Sequence, residues 1–439
     1  MSHVAVPEPR PRQATAIALT ILAFVLSVGA YVLVGLGRRG KVPITLALYG
    51  SIFAVGYLIA HLAIRRFAPR ADPALFPTAG VLTGLGFAMI FRLRGDLAAE
   101  QATWIVVGLI VFVATLVLIR DHRQLDAFTY TIGLIGLVLL LLPIVPGLGR
   151  EVNGARLWVG IGSFSFQPSE LGKVLIVVFL ASYLNAKREL LAISTGGFGP
   201  FRLPALKHLG PLLVAWAASL AVLFFEKDLG ASLLYFAIFV VMLWVATGRA
   251  SYLVIGALLF AAGAVIGYLA FAHVQLRVEI WLHALDGKHV FDQGYYQLAQ
   301  GQFGMATGGL VGAGLGRGSP GLIPAAWTDF IFAAIGEELG LFGSVAVLLL
   351  FVTLVGKGLK AALEAHDGFG RLLATGLSAI LAVQAFVIVG GVTRVIPLTG
   401  VTLPFVSYGG SSLVSNFILL ALLIRVSAGP APDRPRPRP

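Results

Sequence analysis

The feature that most constrains this chain is the recurrence of long apolar runs. Crossing a bilayer takes roughly 20 mostly apolar residues. Such runs fall near 14–36, 43–64, 75–93, 102–120, 127–146, 169–186, 209–225, 228–247, 252–273, 341–361, 371–396 and 411–426. About twelve spans are therefore expected, and the fold class is an all-α polytopic membrane protein. Composition agrees, with 58% hydrophobic and 12% charged residues, whereas soluble domains carry about 25% charged residues. The first run is too long for a signal peptide, and "GRRGK" follows it in place of a small-residue cleavage site. It reads as a retained helix.

The chain has no cysteine, which excludes a disulfide framework and thiolate metal sites. The net charge of +12 fits basic loops that set topology and lie against anionic membrane lipid, not nucleic acid. Placing the N-terminus in the cytoplasm puts most Lys and Arg inside, including Arg65, Arg66, Arg120, Arg123, Lys187, Arg188, Lys207 and the tail "DRPRPRP". Both termini are thus expected to be cytoplasmic. Residues 1–13 and 427–439 read as disordered. The connection 274–328 is far longer than ordinary loops and faces outward in this topology.

Four segments depart from plain lipid-facing sequence. In "GARLWVGIGSFSFQPSELGK" (154–173), Pro168 suits a first helical turn and Glu170 its positive end. Lys173 lies one turn on and can pair with Glu170. The pair is either a simple cap that starts the helix or a charged pair facing a wet cavity. Arg156 suits a phosphate. Trp158 suits a sugar or lipid face, or an interfacial anchor. In "FFEKDLGASLL" (224–234), Glu226, Lys227 and Asp228 interrupt two apolar runs and read foremost as a charged turn.

The third segment is the long connection with the helix after it. It carries Asp286, Lys288, His289, Asp292, Tyr295, Tyr296 and Gln297, a mixture suited to carbohydrate and phosphate chemistry. His283 and His289 lack zinc-ligand spacing. "GAGLGRG" (312–318) follows no βαβ pattern and is not read as a nucleotide loop. "TDFIFAAIGEELG" (328–340) offers Thr328 or Asp329 as N-cap and Gly340 as stop, with Glu337 and Glu338 near the membrane. In the fourth segment, "VIPLTGVTLPFVSYGGSS" (395–412), the prolines and glycines cannot all sit in a regular helix. Irregular backbone at membrane depth is tolerated where it is buried in protein or lines a cavity. The "SYGGSS" turn opens the last helix with free N–H groups suited to phosphate. All four segments fall on the outer side of the expected topology.

These residues resemble the SEDS family, the RodA/FtsW group of cell-wall polymerases. The resemblance rests on "NGARLWVGIGSFSFQPSELGK" (153–173), "KDLGASLL" (227–234), "TDFIFAAIGEELGLFGS" (328–344) and "PLTGVTLPFVSYGGSS" (397–412), in the family's order. It covers residues 75–426 as a ten-helix core, with two extra N-terminal helices in 14–74. "FVIVGGVTRVIPLTG" and "ADPALFPTAGVLTGLGFAMIFRL" are similar to the actinobacterial-type branch. Ile388 stands where a polar residue is common, and Arg394 where a small residue is usual.

The resemblance implies a peptidoglycan glycosyltransferase of a bacterial plasma membrane. It would polymerise lipid II, with undecaprenyl diphosphate leaving, beside a class B penicillin-binding protein as transpeptidase partner. The family's essential aspartate precedes a "GYQ"-like motif, here "GYYQ" (294–297). That makes Asp286 the expected catalytic base, with Asp292 as the alternative. Arg156, Trp158, Gln167, Glu170, Lys173, Asp329, Glu338, Ser407, Tyr408 and Ser411 are the implied substrate-binding residues. No cofactor is implied with certainty. A divalent cation, Mg or Mn, is compatible with the diphosphate, but no ligand set is evident. The competing readings are a lipid II flippase and a non-catalytic scaffold for a transpeptidase. A flippase would place its site at the midplane between internal repeats, and no such repeat is evident.

Overall fold

The computed structural model describes residues 13–145, 147–152, 155–161, 164–192, 194–198, 201–204, 210–226, 228–287, 290–292 and 294–429. The expectations for residues 1–12 and 430–439, for Lys207, Lys227, Lys288 and His289, and for the side chain of Arg156 lie outside the described residues. Eleven described helices are long and apolar enough to cross a membrane. In chain order the helices are α1 (Gln13–Arg39), α2 (Leu46–Phe67), α3 (Leu75–Leu93), α4 (Ala98–Leu118), α5 (Thr129–Leu141), α6 (Pro168–Ala192) and α7 (Gly210–Glu226). They continue as α8 (Leu229–Thr247), α9 (Ser251–Ala270), α10 (Ala272–His283), α11 (Tyr295–Gly308), α12 (Ile331–Glu364), α13 (Gly368–Val392) and α14 (Gly410–Ser427). The shorter α7 corresponds to the expected run 209–225.

The structure departs from the sequence reading in three places. The connection 274–328 is partly helical, because α10 ends and α11 lies within it. Two small antiparallel sheets lie where the sequence suggests no strand: β1 (Gly149–Val152), β2 (Ala155–Ile161) and β3 (Phe164–Phe166) lead into α6, and β4 (Ser194–Phe198) pairs with β5 (Phe201–Pro204). Strands this short carry too little periodicity to stand out beside apolar helices. Finally, α12 is capped by neither Thr328 nor Asp329. Its N-cap is Phe330, which makes no side-chain cap bond. The stop at Gly340 is real: φ 66° and ψ −165° break α12 there into a short leading segment and a long span.

Small residues on α3 decide how the extension and the core meet. A Cβ at Gly84 would lie 2.0 Å from Ser27 Oγ on α1, and one at Gly86 2.4 Å from the Val406 carbonyl. Tyr57 on α2 donates to the Gly80 carbonyl at 2.6 Å. Tyr31, Tyr49, Phe53 and Tyr57 then interlock edge-on with Phe76, Phe87 and Phe91, the geometry that aromatic quadrupoles favour. The first two helices are thereby packed into the core. At the other end of α14, Arg425 is buried and donates to the carbonyls of Phe67 and Leu116. It thus closes the C-terminal ends of α2 and α4, where a cation is favoured.

Candidate active site at the convergence of four helix starts

The helix starts of α6, α8, α12 and α14 meet around the loop 393–409. Each junction is a specific contact. The Gln167 N–H, just before α6, donates to Ser411 Oγ on α14 at 2.9 Å. Ser407 Oγ donates to the Thr328 carbonyl just before α12, and accepts from the Leu403 N–H at 2.9 Å. The Tyr408 N–H donates to the Trp327 carbonyl at 2.9 Å. A Cβ at Gly230, in the first turn of α8, would lie 3.2 Å from Thr399. Tyr235, on α8, donates to the Ser169 carbonyl at 3.0 Å. Helix starts carry unsatisfied N–H groups and partial positive charge, so this convergence suits an anion.

The loop itself is strained. Phe405 is buried at φ 65° and Arg394 sits at φ 60°, a region bulky residues rarely adopt. Such conformations persist where their surroundings over-determine them. Here Arg394 donates to the carbonyls of Trp281 and Leu282 at 2.9 and 3.0 Å, while Trp281 Nε1 donates back to the Arg394 carbonyl at 2.9 Å. The arginine that departs from the resemblance therefore clamps the C-terminal end of α10 onto the loop.

The ion pair that the spacing predicts is present and buried. Lys173 Nζ lies 2.6 Å from Glu170 Oε2 and donates to Gln384 Oε1 at 3.1 Å. Gln384 comes from the middle of α13, one turn before Ile388, and supplies polarity on the face where Ile388 does not. Its Nε2 is buried without a partner among the described residues, so the network is not closed. Asp228 caps α8 by accepting from the Ala231 N–H at 2.9 Å. Arg277 of α10 reaches into the same region, donating to the Leu398 carbonyl at 2.7 Å. It also lies within electrostatic reach of Asp228 and Asp329. Burial pushes the half-buried Asp329 carboxyl upward, against the Thr328 hydroxyl and Arg277, which pull it down.

Four expected site residues stand apart from this network. Glu338 is fully buried, with Oε1 on Arg92 Nε at 2.8 Å and Oε2 accepting from the Gly316 N–H at 2.8 Å. Arg92 also donates to the Gly318 carbonyl at 2.7 Å, and Glu337 accepts from the Ser319 N–H. "GAGLGRG" is thus a loop wrapped on two glutamates, which is the physical reason for its glycines. Gly314 and Gly316, at φ 96° and 81°, turn it inward. Asp286 lies just past the end of α10, exposed, with its carboxylate 2.7 Å from His283 Nδ1. Asp292 is exposed nearby. Trp158 is half-buried on β2.

Sequence reasoning missed Arg277, Gln384 and Arg92 as parts of these networks. A lone amide inside an apolar span is itself a signal, and it marks Gln384. Arg92 ends a span, where arginines are common, and nothing local sets it apart.

Comparison with known proteins follows the same outline. The chain is 46% identical over 448 residues to a protein of Mycobacterium tuberculosis named peptidoglycan glycosyltransferase RodA, covering 99% of this chain and 95% of that one. It is 32% identical to a probable peptidoglycan glycosyltransferase FtsW of Geobacter metallireducens, over 82% of this chain and 95% of that one. Among solved structures, a chain described for the structural coordination of polymerization and crosslinking by a peptidoglycan synthase complex superposes with a TM-score of 0.65 at 26% identity. That match covers 81% of this chain and 97% of the other. The rod shape determining protein RodA of Thermus thermophilus superposes with a TM-score of 0.54 at 25% identity, over 81% and 96% of the two chains. With residues 81–430 matching the family model for FtsW, RodA and SpoVE cell cycle proteins, the chain belongs to the FtsW/RodA/SpoVE family.

Proposed function

We propose that the chain, a peptidoglycan glycosyltransferase, polymerises lipid II in a bacterial plasma membrane, with both termini cytoplasmic. The observation that carries this reading is the convergence of four helix starts on a buried, incompletely satisfied Lys173–Glu170–Gln384 network. A lipid-linked sugar must bring a diphosphate to the edge of hydrocarbon. The site offers that diphosphate cations and N–H groups where lone charges are otherwise expensive. The relatives' names support the reaction class. The structural neighbour comes from a synthase complex that coordinates polymerization with crosslinking, which supports a class B penicillin-binding protein as partner.

In this scheme the acceptor 4-hydroxyl oxygen attacks the anomeric carbon, and the bond from that carbon to the diphosphate oxygen breaks. The electron pair leaves with the undecaprenyl diphosphate. Diphosphate is a good leaving group and needs charge stabilisation more than a proton. Lys173, Arg156, Arg277 and the first N–H groups of α14 supply it, while Gln167, Ser407, Tyr408 and Ser411 shape the turn. The hydroxyl proton passes to a carboxylate. We assign that role to Asp286, with Asp292 as its rival. Both follow α10, which Arg277 and Arg394 anchor to the loop 393–409. Among the described residues no group of three or more His, Asp or Glu is assembled as a metal site.

The test is direct. Purified protein is incubated with lipid II, with and without its transpeptidase partner, and glycan chains are read on a gel. Polymer that depends on Lys173 supports the reading. Movement of lipid II across vesicles with no polymer under either condition overturns it.

A further inference from the structure

At the end of the bundle opposite the candidate active site, a cavity opens between the two N-terminal helices and the core. It is lined by the start of α1, the end of α2, the start of α3, and the ends of α12 and α14. Because α12 and α14 begin at the active site and finish here, the two sites lie at opposite membrane boundaries. The cavity volume is about 490 Å³, within the range of ordinary small-molecule sites.

Its chemistry is uneven. Arg65, Arg70, Lys357 and Lys360 line it, against the carboxylates Asp72 and Glu364. Both carboxylates are engaged by the lysines. Lys357 Nζ lies 3.1 Å from Asp72 Oδ2, and Lys360 Nζ 3.6 Å from Glu364 Oε1. Asp72 is further occupied by the Ala74 N–H at 2.9 Å. Arg65 donates to a neutral acceptor, Gln13 Oε1, at 3.4 Å. Among the described residues the lining therefore carries more positive than negative charge. His61 faces Thr20 Oγ1 through Nδ1 at 3.3 Å, and its Nε2 is buried without a partner among the described residues. The remaining wall is apolar, with Ile64, Phe76 and Ala361 among its residues.

Basic residues that only set topology need no common cavity and no apolar wall. Here the excess charge is concave, lies where helices of the extension and the core end together, and abuts hydrocarbon. Guanidinium and ammonium groups between helices at a membrane boundary recognise phosphate-bearing headgroups. We propose that this cavity binds a phosphate-bearing anion, supplied by a phospholipid headgroup or by free phosphate, and that the anion bridges the N-terminal helices to α12 and α14.

The full chain, purified in detergent, is titrated with phosphatidylglycerol vesicles, phosphatidylcholine vesicles and inorganic phosphate. Binding is read by native mass spectrometry and by the melting temperature. Phosphatidylglycerol is expected to bind and raise the melting temperature, and phosphatidylcholine is not. Each removed cation is expected to weaken binding by roughly fivefold, so R65Q/K360Q should lose about 25-fold. The charge-preserving R65K/K360R controls for folding and should retain binding. Inorganic phosphate that binds and displaces phosphatidylglycerol supports the site and names free phosphate as a source. Phosphate that does not compete supports the site and names the lipid. The proposal is overturned if the native chain prefers neither anion over phosphatidylcholine. It is also overturned if R65Q/K360Q binds phosphatidylglycerol undiminished.

Discussion

Two buried carboxylates in this molecule, Glu170 and Glu338, sit in near-identical burial and in opposite circumstances. Glu338 is closed on every side: Arg92 and the Gly316 N–H take its oxygens, and Arg92 is itself spent on Gly318. Glu170 has Lys173, but Lys173 leans on Gln384, whose amide nitrogen has no partner among the described residues. Buried polar groups are nearly always satisfied. A closed network therefore points to architecture, and an open one beside four helix starts points to a ligand. Charge, burial and closeness to the membrane do not separate the two glutamates, but their hydrogen-bond completeness does.

The sharpest break between chemistry and architecture is expected at Asp286, which belongs to neither network. Asp286→Asn should lower the rate of glycan synthesis by roughly 10²–10⁴-fold with an unchanged melting temperature, since the side chain is exposed and packs on little. Asp292→Asn is the control. An inactive Asp292→Asn beside an active Asp286→Asn would move the base six residues along. If both polymerise normally, the base does not come from this loop.

Next come the two ion pairs. Removing one partner of a buried pair costs about 3–5 kcal/mol, so Arg92→Ala and Lys173→Ala should both lower thermal stability. They should differ in what the folded fraction can do. Activity per folded Arg92→Ala molecule should stay near the native level, whereas folded Lys173→Ala should make no glycan. Equal specific activities in the two variants would erase the distinction between the networks.

A smaller effect is expected at Gln384. Gln384→Leu removes an acceptor from a charged donor, a loss of about 1.5–3 kcal/mol, and also removes an unsatisfied amide. The stability change should therefore fall well below that of Lys173→Ala, with the activity loss the larger of the two. A variant as active as the native chain but less stable would place Gln384 with the architectural network.

The smallest effect lies at the far end of the bundle. Asp367, the N-cap of α13, accepts from the Gly370 N–H at 2.7 Å and faces His122 Nε2 at 2.9 Å. Burial pushes its carboxyl up, but the Gly370 N–H, His122 and Arg123 outweigh it and leave it below the ordinary carboxylate value. A depressed folded value stabilises above the unfolded pKa of about 3.9, and this contribution is lost as pH falls through the folded value. The melting temperature should therefore decline in acid below about pH 4, and less steeply in Asp367→Asn. Identical acid profiles for the two would show that this cap adds no pH dependence.

Local pattern alone determined a good deal. Apolar runs of bilayer length anticipated eleven spanning helices and the shorter α7. The crowding of proline and glycine in 395–412 ruled out a continuous helix there. The three-residue spacing of Glu170 and Lys173 predicted their pair, because one helical turn brings them together. Each of these follows from neighbours in the chain. Tertiary structure decided the rest. Arg92 and Glu338 meet across 246 residues, and Lys173 and Gln384 across 211. Arg277 is brought to the loop 393–409 only by the placement of α10. No local periodicity encodes which of two buried glutamates has all its hydrogen bonds met. That depends on which helices pack side by side, and here glycines such as Gly84 and Gly86 set how closely they approach.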